Sequence, residues 1–140
     1  MLTKPKKNSF SNVTRKSGYR SGLEEVVARQ LVGRDIPFEY ETLKIKFSKP
    51  PKSCTYTPDF ILPNGIIIET KGRLMPEDRE KHLLIKAQYP ELDIRFVFTN
   101  SKNKINKGSP TTYREWCDKN NYKWADRVIP REWFLEMREQ

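Results

Sequence analysis

A mixed α/β domain, with a central sheet covered by helices on both faces, is the architecture this sequence predicts. Two short apolar runs, Phe60-Ile61-Leu62 and Ile66-Ile67-Ile68, flank Pro63-Asn64-Gly65. Pro sets φ for a turn, and Asn and Gly tolerate left-handed backbone, so the stretch reads as a β-hairpin. Ile66-Ile67-Ile68 is apolar at consecutive positions, as a strand buried on both sides must be. Segments of helical periodicity, with their own start and stop signals, are interspersed with the strands. At 140 residues the chain has room for one domain with a real core.

Taken in order, residues 1–17 are polar, basic and aperiodic, and are expected to be a mobile arm ahead of a single domain over 18–140. A helix is expected from about Ser21 to Arg34, with Leu23, Val26, Val27, Gln30 and Leu31 inward. Phe38 to Ile45 reads as a strand. Phe47 to Cys54 contains Pro50-Pro51, which cannot donate to a ladder, so this piece is expected to be extended, exposed and stiff. Thr55 to Lys71 holds the hairpin. Pro76-Glu77-Asp78 opens a helix that runs to about Tyr89 and stops before Pro90, with Leu83, Leu84 and Ala87 inward. Its His82, the single histidine, reads as a partly exposed structural residue. Ile94 to Phe98 is a strand alternating around Arg95, and Asn100 to Gly108 a basic loop. Ser109-Pro110 opens a helix with Tyr113, Trp116 and Cys117 on one side. A short strand is expected around Tyr122-Lys123-Trp124. Ile129-Pro130 opens a terminal helix carrying Trp133, Phe134 and Met137, whose aromatics read as core or packing residues and not as base-stacking platforms.

The formal net charge of +9 and pI near 9.6 favour a polyanionic partner, most simply nucleic acid. The basic residues are clustered. Residues 1–20 include Lys16 and Arg20 and hold no acid; Lys44, Lys46, Lys49 and Lys52 form a second group; Lys102, Lys104 and Lys107 form a third. With Arg73, these are the candidates for phosphate contact. Cys54 and Cys117 make no metal-ligand or redox spacing, which suits a reduced cytoplasmic setting. No apolar run is long enough to span a membrane, and the basic N-terminus lacks the apolar core of a signal peptide. A lone histidine argues against zinc hydrolases and nucleophile–histidine triads.

The hairpin also carries the candidate chemistry. If Pro63, Asn64 and Gly65 form the loop, Leu62 pairs with Ile66, Phe60 with Ile68 and Asp59 with Glu69, and Lys71 projects from the Glu69 face. Facing carboxylates repel unless a cation lies between them. Hard oxygen ligands suit Mg²⁺ or Mn²⁺. Asp, then Glu-x-Lys on a hairpin, is the layout of a metal-dependent phosphodiesterase. The plainer reading is that these charges are solvated strand ends, but charges at the rim of a strand buried on both sides need a reason. Glu24 has two readings as well. Ser21-Gly22-Leu23-Glu24 matches a capping box, and Glu24 would also serve as a third carboxylate at the site.

Several stretches resemble the phage endonuclease I family, the four-way-junction resolvases of T-odd podophages. They include Arg20-Ser21-Gly22-Leu23-Glu24, Thr55-Tyr56-Thr57-Pro58-Asp59-Phe60, Glu69-Thr70-Lys71-Gly72, Lys81-His82-Leu83-Leu84-Ile85 and Lys107-Gly108-Ser109-Pro110-Thr111. The similarity runs in order from about Ser17 to Trp133. The resemblance implies a restriction-endonuclease-like fold and a metal-dependent nuclease that cuts branched DNA by paired nicks leaving 5′-phosphate ends. It assigns catalysis to Glu24, Asp59, Glu69 and Lys71, and Mg²⁺ or Mn²⁺ binding to Glu24, Asp59, Glu69 and Thr70. It further implies an intertwined homodimer whose chains cross at about residues 45–53, so that Glu24 of one chain meets Asp59, Glu69 and Lys71 of the other. An infected bacterial host's cytoplasm is the expected location. The basic C-terminal tail expected of the family is not found here, and the basic residues 1–20 are candidates to compensate. The alternatives are a non-catalytic basic nucleic-acid-binding protein and a duplex-specific nuclease on the same fold.

Overall fold

The computed structural model describes residues 18–49 and 52–137; the expected arm over 1–17 lies outside them. The elements are α1 (Gly22–Gly33), β1 (Glu39–Tyr40), β2 (Ile45–Lys49), β3 (Lys52–Tyr56), β4 (Phe60–Ile61), β5 (Ile67–Lys71), α2 (Pro76–Gln88), β6 (Ile94–Phe98), α3 (Tyr113–Lys119), β7 (Trp124–Asp126) and α4 (Arg131–Leu135). Five strands form a mixed sheet in the order β1-β4-β5-β6-β7. β1, β4 and β5 run antiparallel, while β5, β6 and β7 run parallel and are joined by crossovers through α2 and α3. β2 and β3 make a separate two-stranded hairpin.

The hairpin register is the one the loop residues predict. Phe60 pairs with Ile68 and Ile61 with Ile67. The Leu62 and Gly65 N–H groups close the turn onto the carbonyls of Ile66 and Leu62, each at 2.9 Å, and Gly65 has φ 88°. A side chain there would be strained. β5 is buried on both faces, as its isoleucines require. Ile67 joins Phe96 and Phe98 of β6, Ile85 of α2 and Trp116 of α3 in one core. Ile68 joins Phe60, Val97, Val27 and Leu31 of α1 and Trp133 of α4 in the other. The sheet therefore has helices on both faces, and β5 sits at its centre.

Other elements differ from expectation. The strand expected over Phe38 to Ile45 is interrupted: β1 covers two residues, and Glu41 turns into left-handed backbone at φ 52°. The piece around Pro50-Pro51 is extended on either side but not simply exposed. β2 and β3 pair with each other, with Lys49 opposite Lys52, and alternate residues Ile45 and Phe47 are buried. Gln88 bonds both backbone groups of Ser48, at 2.6 and 2.7 Å, and so docks this hairpin on the end of α2. α2 is rotated from its expected phase. It packs through His82 and Ile85, while Leu83 and Ala87 are exposed; likewise Val26 of α1 is exposed and Ala28 is buried in its place. α3 starts at Tyr113, because Thr112 and Glu115 form a capping box that sets the start beyond Pro110. β7 starts at Trp124, and Met137 is exposed.

His82 is fully buried, not partly exposed. Its ring meets those of Tyr56, Phe96 and Tyr122 edge-on, with centroids 4.9 to 6.3 Å apart. Neither ring nitrogen has a hydrogen-bond partner among the described residues. Burial, then the nearby Lys81 and Lys71 charges, hold its pKa well below the usual 6.5. The imidazole is therefore neutral in the fold and protonates only on unfolding. The stability it lends is complete above pH 6.5 and is lost as pH falls, by up to about 1.4 kcal/mol per pH unit. His82→Phe should flatten this acid limb. Thermal melting of both proteins at pH 7 and pH 5 checks it, and equal pH slopes would mean that the imidazole is charged inside the fold.

Candidate active site

The sheet rim where β5 ends gathers side chains from four directions. Asp59 immediately precedes β4, and one of its oxygens accepts both the Thr70 N–H at 2.9 Å and the Thr70 hydroxyl at 2.8 Å. Thr70 thus fixes the carboxylate with two donors. Glu69 is buried, accepts the Tyr56 hydroxyl at 2.8 Å and lies 3.5 Å from the Lys71 ammonium. Lys71 also reaches Asp78 at 3.1 Å. The other Asp78 oxygen caps α2 at the Met75 N–H, 3.0 Å away, so the start of α2 and the end of β5 are tied through one carboxylate.

α1 supplies Glu24. Ser21 is the helix cap, accepting from the Glu24 N–H at 3.1 Å. The Glu24 side chain accepts from the Arg20 N–H at 3.0 Å and from the Tyr40 hydroxyl. The Ser21 half of the expected capping box forms, while the Glu24 side chain takes the Arg20 N–H in place of that of Ser21 and brings a carboxylate oxygen within 4.8 Å of one of Asp59. Glu41 enters the site by the left-handed turn that breaks the strand after β1. Its N–H donates to the Asp59 carbonyl at 3.2 Å, and its carboxylate meets Arg20 at 3.1 Å. Left-handed backbone is costly for a residue with a side chain, and such strain gathers at functional sites.

Carboxylate oxygens of Glu24, Glu41 and Asp59 all lie within 4.8 Å of one another. Crowding of this kind makes ionisation expensive. Burial first, then the charges of Glu69 and Glu24, push the Asp59 pKa up from 3.8 to about 8, although the Thr70 donors oppose the shift. Burial also raises Glu69, against the pull of Lys71, Tyr56 and Lys81. Burial lowers Lys71, but Glu69 and Asp78 outweigh it, and the net direction is up. A cation relieves this repulsion, and an all-oxygen, all-carboxylate donor set fits a hard divalent ion. The cavity is about 350 Å³. A larger apolar cleft, about 510 Å³, lies between the Pro63-Asn64 turn and α4, but it holds no comparable convergence of charge.

The site residues expected from sequence are distributed as follows. Glu24, Asp59, Glu69, Thr70 and Lys71 all line the cavity. Glu69 lines the cavity beside the close group formed by Glu24, Asp59 and Glu41, the last of which was not among the expected ligands. Of the basic candidates, Arg20 and Lys44 line the cavity; Lys46, Arg73, Lys102, Lys104 and Lys107 are exposed elsewhere; Lys49 is held by Glu80 at 2.7 Å. Lys16 and the Lys52 side chain lie outside the described residues. Sequence reasoning missed Glu41, Tyr40, Tyr56, Asp78 and Lys81. Glu41 and Tyr40 reach the site from an element distant in sequence; Tyr56 and Asp78 lie within a few residues of Asp59 and Lys71, and the pattern gives them no residue spacing that points to the site.

A family model described as phage endonuclease I matches residues 6–140. The chain belongs to this family. It is 54% identical to endonuclease I of Escherichia phage T7 over 122 residues, which cover 87% of this chain and 82% of that protein. It is 53% identical to endodeoxyribonuclease 1 of Enterobacteria phage T3, over 84% of this chain and 77% of the relative.

Without a cation, protonated Asp59 lends stability that is complete below pH 3.8 and is lost as pH rises toward 8. Asp59→Asn should therefore melt above the wild type at pH 7.5, with the gap closing at pH 4. Mn²⁺ should raise the melting temperature of the wild type more than that of the variant. Calorimetric scans with and without Mn²⁺ check both; an unchanged wild-type melt in Mn²⁺ would remove the cation assignment.

Proposed function

We propose that this chain is a metal-dependent endodeoxyribonuclease that resolves four-way junctions and other branched DNA by paired nicks. The observation that carries the reading is the meeting of Glu24, Glu41, Asp59, Glu69 and Lys71 on one rim, in a chain whose relatives are named as endonucleases. Glu24, Glu41 and Asp59 would hold Mg²⁺ or Mn²⁺, with Glu69 and the Thr70 main-chain oxygen as further ligands. A divalent ion there supplies Lewis acidity, lowering the pKa of water and offsetting charge on the oxygens around phosphorus.

The side chains do the rest. Thr70 holds Asp59 with two donors, so its carboxylate is placed before substrate arrives. Lys71, set by Asp78 and Glu69, orients the attacking water or offsets charge that develops on the phosphoryl oxygens. Hydrolysis breaks the bond from phosphorus to the 3′ oxygen and leaves a 5′-phosphate. Lysines and arginines that contact phosphates carry no base code, which suits recognition of DNA by shape.

The active form in this reading is an intertwined homodimer whose chains cross over through a bridge at about residues 45–53. In the single chain, β2 and β3 fold back on each other and Glu24 meets Asp59 within one molecule. Opening that hairpin at Pro50-Pro51 would keep every contact of the site while giving Glu24 to the partner's Asp59, Glu69 and Lys71. Two sites held apart in one dimer can cut two strands of one junction. The setting is the cytoplasm of an infected bacterium; no helix among the described residues is long and apolar enough to cross a membrane.

Glu69→Gln and Lys71→Ala should each abolish nicking of a four-way junction in Mg²⁺ while leaving gel-shift affinity largely intact. Full nicking by either variant would remove the assignment, and equal cutting of plain duplex would redirect it to a duplex nuclease. The exchange has its own test. Mixed dimers of Glu24→Gln and Asp59→Asn chains regain one intact site if the chains exchange, and none if they do not. Coexpressed, tag-selected mixed dimers should therefore nick one strand, and inactivity would exclude the exchange.

A further inference from the structure

Of the cations that line the cavity, Arg20 is engaged by Glu41 at 3.1 Å, and Lys71 by Glu69 and Asp78 at 3.5 and 3.1 Å. Lys44 is exposed and donates to Thr57 at 3.2 Å. Lys81 is different. It is half-buried, lines the same cavity and makes no ion pair among the described residues. Its ammonium lies 5.4 Å from the centre of the Tyr56 ring, and that tyrosine donates its hydroxyl to Glu69 at 2.8 Å. A cation over an aromatic face is held without being neutralised. Its charge is felt by the Glu69 carboxylate, whose ionised form it favours.

The helix explains why Lys81 is there. Asp78 and Lys81 stand three residues apart on α2 and share a face. That face meets the rim of β5, so one helix presents a carboxylate to Lys71 and a spare cation to the cavity. An ammonium on the wall of a cavity, with no ion-pair partner among the described residues, is a site for an anion brought from outside.

We infer that Lys81 is a phosphate-binding residue of the active site, its ammonium gripping a non-bridging oxygen of the DNA strand to be cut. The inference rests on the nuclease reading above and separates its tasks between two lysines. Lys71, already neutralised by two carboxylates, serves the reacting centre. Lys81, uncommitted in the free protein, anchors the strand that enters.

The test uses the full chain, Lys81→Met and Lys81→Arg, with a four-way junction as probe. In Mg²⁺, Lys81→Met should cleave roughly 10- to 100-fold more slowly in single turnover, the loss expected for one charge-assisted contact. Lys81→Arg should recover most of the rate. In metal-free buffer, the salt slope of junction binding should fall by about 0.9 for the lost phosphate contact. Methylphosphonates, which make one phosphate neutral, are then placed singly at the scissile position and at its two neighbours. At one of them the wild type should lose affinity while Lys81→Met loses little more. Unchanged rate and slope in Lys81→Met would overturn the inference. So would losses that simply add at all three positions, which would make Lys81 a support for Tyr56. A wild type that never cuts would instead defeat the nuclease reading, and the binding cycle would still decide whether Lys81 holds phosphate.

Discussion

Carboxylates brought together out of water repel each other, and much of this fold acts to hold such a group in place. Glu24, Glu41 and Asp59 come from three separate segments and place oxygens within 4.8 Å of one another. Each is restrained by donors. Thr70 holds Asp59 through two hydrogen bonds, Tyr40 and the Arg20 N–H hold Glu24, and the Arg20 guanidinium holds Glu41. These donors do not cancel the cost of ionising there: burial first, then the charges of Glu69 and Glu24, still raise the pKa of Asp59. The folded state therefore carries stored electrostatic work that a divalent cation would release.

Such a cluster needs a rigid base. β5 supplies it, with a core on either face and strands on both sides. Its last residues, Glu69, Thr70 and Lys71, leave that core in alternation: Glu69 and Lys71 face the Tyr56 and Asp78 side, and Thr70 faces Asp59. Both crossover helices lie on the first of these faces. The start of α2 is tied to the end of β5 through Asp78, so a small shift of the helix would move Lys71.

The buried His82 belongs to the same construction. It fills the space between α2 and the Tyr56, Phe96 and Tyr122 rings and remains neutral there. A charge at this point would add a cation behind Lys71 and Lys81. The neutral ring packs behind the Tyr56 that supports Glu69, at the expense of two ring nitrogens without partners among the described residues.

The sequence by itself determined what is local. The Pro63-Asn64-Gly65 turn sets the hairpin register, because a three-residue loop leaves one pairing that buries both isoleucine faces. The Ser21 cap, the Pro76 start of α2, the strand Ile94–Phe98 and the relation of Glu69 to Lys71 follow from the same short-range rules. The family resemblance rests on such stretches too. What only the tertiary structure decided is which distant groups meet. The phase of α2 depends on which residues face the Tyr56 and Phe96 rings, and a buried imidazole there displaced the expected leucine. Glu41 looked like one more strand residue, and only a left-handed backbone turn, held by the Asp59 carbonyl, brings it beside Glu24. No periodicity encodes a contact of this kind, because its energy comes from groups far apart in the chain and from water excluded when they close.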